Sequence, residues 1–282
     1  MLPPRPPRLA RFTPLLLPLV LGFAARARAT DVNGFLEPKG RGAAVLSFTA
    51  EGYDEFWAGT TKVADPGLGR VTTSSTALFT QFGLADGVSL VANLPYVSTS
   101  GDGQAGFAEK GLQDISALLK VRVFAFGTRA RSSVVFAGGI RTIASNYEGN
   151  KPVSIGDGTA DGLLRLVYLL QAGRFYWSQQ VGFDVRGGEA PNGFPLYTEV
   201  GLGFGRATAS LLYQGYFADG GTDIGDPGFT FPSNRDETQR VGAKVYFAAT
   251  ETWGAVVQGF TTLSGRNSGD TTGFGAGLVV RY

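Results

Sequence analysis

The amino-acid sequence predicts an all-β protein, a transmembrane antiparallel up-and-down β-barrel of about 12 strands. Three observations carry that expectation. The composition joins 42 Gly, 21 Phe and 10 Tyr to only 17% charged residues, too apolar for disorder and too glycine-rich for a helical bundle. Apolar and polar residues alternate in segments of about ten residues, the length a tilted strand needs to cross an outer membrane. The connections between segments alternate between short and long, as they do when an even-stranded barrel has both termini on the side of its tight turns.

The first 29 residues stand apart. Arg5, Arg8 and Arg11 form a basic stretch, Phe12 to Ala25 an apolar one, and Ala27-Arg28-Ala29 a small-residue ending. That is the pattern of a secretory signal peptide, residues 1–29, cleaved before Thr30, which leaves residues 30–282 as a single barrel domain. An N-terminal membrane anchor fails on length, because the 14 residues from Phe12 to Ala25, interrupted by Pro14 and Pro18, are short against the roughly 20 of a spanning helix. Five of the 25 basic side chains lie in the leader with no acid beside them, so the rest of the chain holds 20 bases against 23 acids. The basic excess belongs to the leader, and no nucleic-acid partner is expected.

Cysteine and histidine are both absent. Disulfide scaffolds, thiolate metal sites and cysteine nucleophiles need the first; Ser-His-Asp triads and His-ligated zinc or iron need the second. No catalytic residue, metal or cofactor is expected, and the sequence reads as a protein that is not an enzyme.

The expected strands are 43–52, 73–83, 88–98, 112–125, 132–144, 162–172, 175–187, 196–205, 207–218, 238–248, 253–263 and 273–282. The last shows the pattern most cleanly: Phe274, Ala276, Leu278, Val280 and Tyr282 share one face, Gly275, Gly277, Val279 and Arg281 the other. Residues 238–248 set Val241, Ala243, Val245 and Phe247 against Arg240, Gly242, Lys244 and Tyr246. Residues 175–187 set Phe175, Trp177, Val181, Phe183 and Val185 against Tyr176, Ser178, Gln180, Asp184 and Arg186. Such strands bury one face in an apolar medium and wet the other. Short turns at 84–87, 127–131, 172–174, 205–206 and 249–252 interleave with long loops at 53–72, 99–111, 145–161, 188–195, 219–237 and 264–272. Phe82, Phe175, Phe204, Trp253 and Tyr282 fall near short turns or the C-terminus, where an interfacial girdle places aromatics. The competing fold, a soluble sandwich or lipocalin-like barrel, turns its apolar face inward over about eight strands. The glycines of Gly201-Leu202-Gly203-Phe204-Gly205 lie inside a strand pattern with no helix after them, which points to clearance rather than to a nucleotide loop.

The inward face collects Lys120, Arg122, Arg141, Arg165, Arg186, Arg240, Lys244 and Arg281 against Glu51, Asp114, Asp184 and Glu199. Ionised groups in a low-dielectric interior either pair or line water. The candidate pore-lining residues are therefore Lys120, Arg122, Arg141, Arg165, Gln180, Asp184, Arg186, Glu199, Arg240 and Lys244, with Arg122, Arg141, Arg165 and Arg186 expected to set anion preference. An open pore and a lumen plugged by ion pairs both fit about 12 strands, which lie between filled eight-stranded and open sixteen-stranded barrels. In the loop 219–237, Asp219, Asp223, Asp226, Asp236 and Glu237 lack the ordered spacing of a calcium loop and read as a solvated surface, while Phe229 and Phe231 are candidates to fold into the barrel mouth.

Two stretches carry a family resemblance: Ala77-Leu-Phe-Thr-Gln-Phe-Gly-Leu-Ala-Asp-Gly-Val-Ser-Leu-Val-Ala-Asn-Leu-Pro-Tyr-Val97 and Gly111-Leu-Gln-Asp-Ile-Ser-Ala-Leu-Leu-Lys-Val-Arg-Val123. They resemble the outer-membrane barrel family labelled for a meta-pathway of phenol degradation, whose members show a strand ending in Leu-Pro-Tyr and then Gly-Leu-Gly-Asp before a strand with Lys-Tyr-Arg. Gln113 stands here for the second glycine and Val121 for the tyrosine. The resemblance implies a barrel in the bacterial outer membrane that passes small compounds, aromatic or apolar ones among them. The expected function is passive transport of small solutes, and the alternative is a non-conducting structural or surface-binding barrel. The expected partners are outer-membrane lipid and lipopolysaccharide, the barrel-assembly machinery through the C-terminal strand ending in Tyr282, and a small-molecule solute.

Overall fold

The computed structural model describes residues 31–64, 69–103, 107–149, 151 and 153–282. The expected leader and its cleavage point before Thr30 lie outside the described residues. The strands are β1 (Gly42–Tyr53), β2 (Glu55–Ala58), β3 (Thr61–Ala64), β4 (Val71–Ala85), β5 (Val88–Gly101), β6 (Ala108–Leu112), β7 (Ile115–Phe126), β8 (Ala130–Thr142), β9 (Asp161–Ala172), β10 (Phe175–Val185), β11 (Gly193–Phe204), β12 (Ala207–Ala218), β13 (Glu237–Ala248), β14 (Trp253–Arg266) and β15 (Thr272–Arg281). Twelve of them form a closed antiparallel barrel, with β1 hydrogen-bonded to β4 on one side and to β15 on the other. Closure leaves no unpaired edge strand in the wall. The remaining three sit on the long-loop side: β2 and β3 form a hairpin in the first long loop, and β6 pairs with the end of β5.

The outward rows are apolar and exposed, among them Leu46, Phe48, Leu164, Leu166, Leu211, Val245, Phe274 and Leu278. In a soluble protein such rows would have no partner; here they meet lipid. Phe175, Phe204, Trp253 and Tyr282 stand exposed at the short-turn end, and the Tyr282 ring stacks on Phe82 with centroids 6.3 Å apart.

The expected strand 112–125 is β7, which begins three residues later; only Leu112 of that span belongs to β6. β6 stops at Leu112 and β7 starts at Ile115, because Gln113 and Asp114 turn their side chains to the loop 145–160: the Gln113 amide donates to the Ile155 carbonyl and Asp114 accepts from the Tyr147 hydroxyl.

A second departure shapes the whole interior. The inward rows of β5 and β7–β9 are not polar throughout, since Val91, Leu118, Val135, Ala137, Leu163 and Val167 form a buried apolar cluster inside the barrel. Their partner is the chain preceding β1. Residues 31–41 enter the lumen from the short-turn end, where Lys39 bridges Gly83, and climb to mid-barrel, where Val32 joins the cluster. Gly83 permits that entry, because a Cβ there would collide with the carbonyls of Glu37 and Pro38. At the opposite end Tyr53, Phe56, Val71, Val153 and Ile224 make a second apolar cluster out of the long loops, with Phe229 packed against it.

Candidate functional site

The lumen is filled on one side and open on the other. On the filled side, segment 31–41 lies as an irregular strand whose backbone groups are met by inward side chains of the wall. Val32 N donates to Gln180 Oε1 at 2.8 Å, Gly34 N to Ser178 Oγ at 3.0 Å and Glu37 N to Ser89 Oγ at 3.0 Å. The Phe35 carbonyl accepts from Lys120 Nζ at 2.5 Å and from Gln81 Nε2 at 3.1 Å. Asp31 accepts from Gln214 at 2.9 Å and Gln180 at 3.2 Å. Burial pushes the Asp31 carboxyl up to about 6, opposed by Arg165 and by those two amides.

Beyond the tip of this segment, toward the long loops, the inward charges pair with one another. Arg165 and Asp184 are bonded with both side chains fully buried. Arg141 binds Asp161, and Arg186 binds Asp157 and lies 3.7 Å from Asp161. The loop 145–160 folds over these pairs, its Val153 and Ile155 buried and the Glu109 carboxylate accepting from Glu148 N and Ile155 N at 3.1 and 3.0 Å.

The long loops are tied together by Asn267, which sits in the left-handed region at φ 49°. Its Oδ1 accepts from Gly59 N at 2.8 Å and Ile224 N at 3.1 Å, and its Nδ2 donates to Asp223 at 2.8 Å and to the Arg235 carbonyl at 2.6 Å. The Arg266 guanidinium holds Asp223 below the usual carboxylate range. Two acids of the loop 219–237 are thus engaged by bases, Asp223 by Arg266 and Glu237 by Arg235 at 2.7 Å.

On the open side, a cavity of about 910 Å³ runs along β1 from Ala43 to Glu51 and along β12 from Thr208 to Tyr216. Glu199 anchors its wall: Oε1 takes Lys244 Nζ at 2.7 Å and the Tyr176 hydroxyl at 2.5 Å, and Oε2 takes the Tyr197 hydroxyl at 2.9 Å. The Tyr176 ring lies flat on Gly201, where a Cβ would collide with it, so the glycine run in β11 provides clearance. Arg240, also on this wall, is 3.7 Å from Glu51.

The structure therefore sorts the ten candidate residues. Lys120 and Gln180 hold segment 31–41; Arg141, Arg165, Asp184 and Arg186 are in buried pairs; Glu199, Arg240 and Lys244 line the cavity. Arg122 joins none of these groups. It keeps the inward parity of Lys120, opposite the buried Val135, but stands exposed at the short-turn end beside Gly87 and is not part of the cavity lining. Segment 31–41 is the element that sequence reasoning missed. Its signal was the run from Leu163 to Leu170, apolar on both faces apart from Arg165, as in strands covered on both sides.

No protein-family model matches the sequence, and no curated protein does. The fold does match. A crystal structure of an outer-membrane channel from Pseudomonas putida F1 superposes with a TM-score of 0.73 at 14% identity, covering 90% of this chain and 99% of that one. The fold is that of an outer-membrane β-barrel, and the protein belongs in the bacterial outer membrane. Weaker matches are the translocator domain of the autotransporter NalP from Neisseria meningitidis (TM-score 0.49, 10% identity, covering 88% of this chain and 90% of that one) and outer membrane phospholipase A from Escherichia coli (0.43, 11%, 90% and 94%). The expectation that the chain is not an enzyme is corrected, because the missing imidazole removes only histidine-dependent chemistry.

Proposed function

We propose that the protein is a passive outer-membrane channel for small solutes, aromatic or apolar compounds among them. The observation that carries this reading is the cavity of about 910 Å³ left beside segment 31–41, which follows β1 and β12 through most of their length. Its lining mixes ionised groups (Glu51, Glu199, Arg240, Lys244) with rings (Phe79, Tyr176, Tyr246, Phe260), a surface suited to hydrated and to ring-bearing solutes. The likeness in fold to the Pseudomonas putida channel supports the reading, and the resemblance of Ala77–Val97 and Gly111–Val123 supports the solute class. Reconstituted in planar bilayers, the folded protein is expected to give discrete conductance steps, and in liposomes to admit small solutes. Silence in both assays overturns the channel.

A second reading, a non-conducting barrel, is favoured by the filled side of the lumen and by the apolar cluster that the long loops build over its far end. The same recordings separate the two.

A further inference from the structure

The inward cations fall into two groups by how they are satisfied. Lys120, Arg141, Arg165, Arg186 and Lys244 each have a partner at hydrogen-bond distance. Arg281, at the exposed short-turn end, lies over Tyr246 at 5.4 Å. Arg240 is different. Its side chain is only 16% exposed, its ion pair with Glu51 is 3.7 Å long, beyond hydrogen bonding, and its enclosed Nε has no hydrogen-bond partner among the described residues; Arg165 and Arg186 also have unpartnered guanidinium nitrogens, but each bonds an aspartate through another. Its guanidinium carbon sits over the Phe260 ring, 5.2 Å from the centroid. An enclosed guanidinium costs free energy until its planar fork is met; carboxylates and phosphates both meet it edge-on with two parallel bonds, and the carboxylate is the one that a small ring-bearing solute suited to this aromatic lining carries with a single charge.

We propose that Arg240 is a ligand-binding residue of the lumen that takes a small organic carboxylate bearing an apolar ring. The carboxylate bonds the guanidinium edge, and the ring lies among the aromatic side chains that line the same cavity, Phe260 first. The proposal rests on the channel reading for its cavity and adds a solute class to it. It also moves specificity from the arginines the sequence singles out to one on β13: Arg141, Arg165 and Arg186 are neutralised by Asp161, Asp184 and Asp157, and Arg122 stands exposed at the short-turn end, away from the cavity lining.

The test is calorimetric titration of the folded, detergent-solubilised protein with sodium benzoate, sodium acetate and benzyl alcohol, on wild type, Arg240→Gln and Arg240→Lys. Benzoate is expected to bind wild type more tightly than either of the other two. Arg240→Gln is expected to lose about tenfold or more in benzoate affinity, the worth of a hydrogen-bonded charge pair, with Arg240→Lys in between. Undetectable benzoate binding to wild type, equal affinity in Arg240→Gln, or acetate or benzyl alcohol binding as tightly as benzoate each overturns the proposal. If Arg240→Gln does not fold, Phe260→Leu decides: it must weaken benzoate several-fold and leave acetate unchanged, and an unchanged benzoate affinity overturns the proposal. A wild type that binds benzoate in solution but never conducts overturns the channel and leaves the binding site standing.

Discussion

β9 and β13 are both walls of one lumen, and their inward rows differ as if they belonged to different proteins. On β9, Leu163, Arg165, Val167 and Leu169 are all buried, because segment 31–41 and the ion pairs cover them. On β13, Arg240, Gly242, Lys244 and Tyr246 line open space and none is buried. Outward, both strands present apolar side chains to lipid. The lumen-facing row therefore records what fills the barrel at each point: a dry core where the chain returns inside, water where it does not.

The contrast can be broken most forcefully at the buried pair. Asp184→Asn strands the Arg165 charge in the filled half and is expected to cost about 3–5 kcal/mol in unfolding from detergent or lipid vesicles, whereas Arg240→Gln on the open wall is expected to cost within about 1 kcal/mol. Comparable losses at the two sites would mean that the two sides are equally wet. Deleting residues 31–38 empties the filled side, and single-channel conductance is expected to rise several-fold; a conductance equal to wild type would show that the segment does not obstruct the path.

Asp31 gives the subtlest handle. Its carboxyl is pushed up to about 6 from the ordinary 3.8, so folding favours the protonated form. The stability this group contributes is complete below about pH 3.8 and lost as the pH rises through about 6. Burial sets the shift, Asp184 adds to it, and Arg165, Gln214 and Gln180 oppose it. Cleavage of segment 31–41 by added protease is expected to be faster at pH 8 than at pH 5, after correction for the protease's own pH profile. Asp31→Asn should flatten that ratio; an unchanged ratio would remove Asp31 from the anchoring of the segment.

Twelve strands, their order and the side of the tight turns were legible in the residues because a strand's two-residue period and a turn's glycine are local properties. The expected 207–218 coincides with β12 to the residue, and 43–52 lies within β1. Misses occurred where local rules yield to distant partners. Gln113 and Asp114 leave the strand pattern to hold a loop about 30 to 40 residues further on, at Tyr147 and Ile155. Arg122 keeps the inward parity of Lys120, but it stands exposed at the short-turn end beside Gly87, a depth in the barrel that counting by two does not give.

Alternation and composition alone determined that this chain makes a closed barrel with lipid outside and its charges inside, since each residue's side of a strand follows from counting by two. Only the tertiary structure decided how the inside is shared out. Whether an arginine is neutralised by an aspartate 19 residues away, as Arg165 is by Asp184, or left to an open cavity, as Arg240 is, depends on strand register and on where residues 31–41 come to rest. Those are distances between groups far apart in the chain, fixed by closure of the sheet and by the packing of one segment against Val91, Leu118 and Leu163.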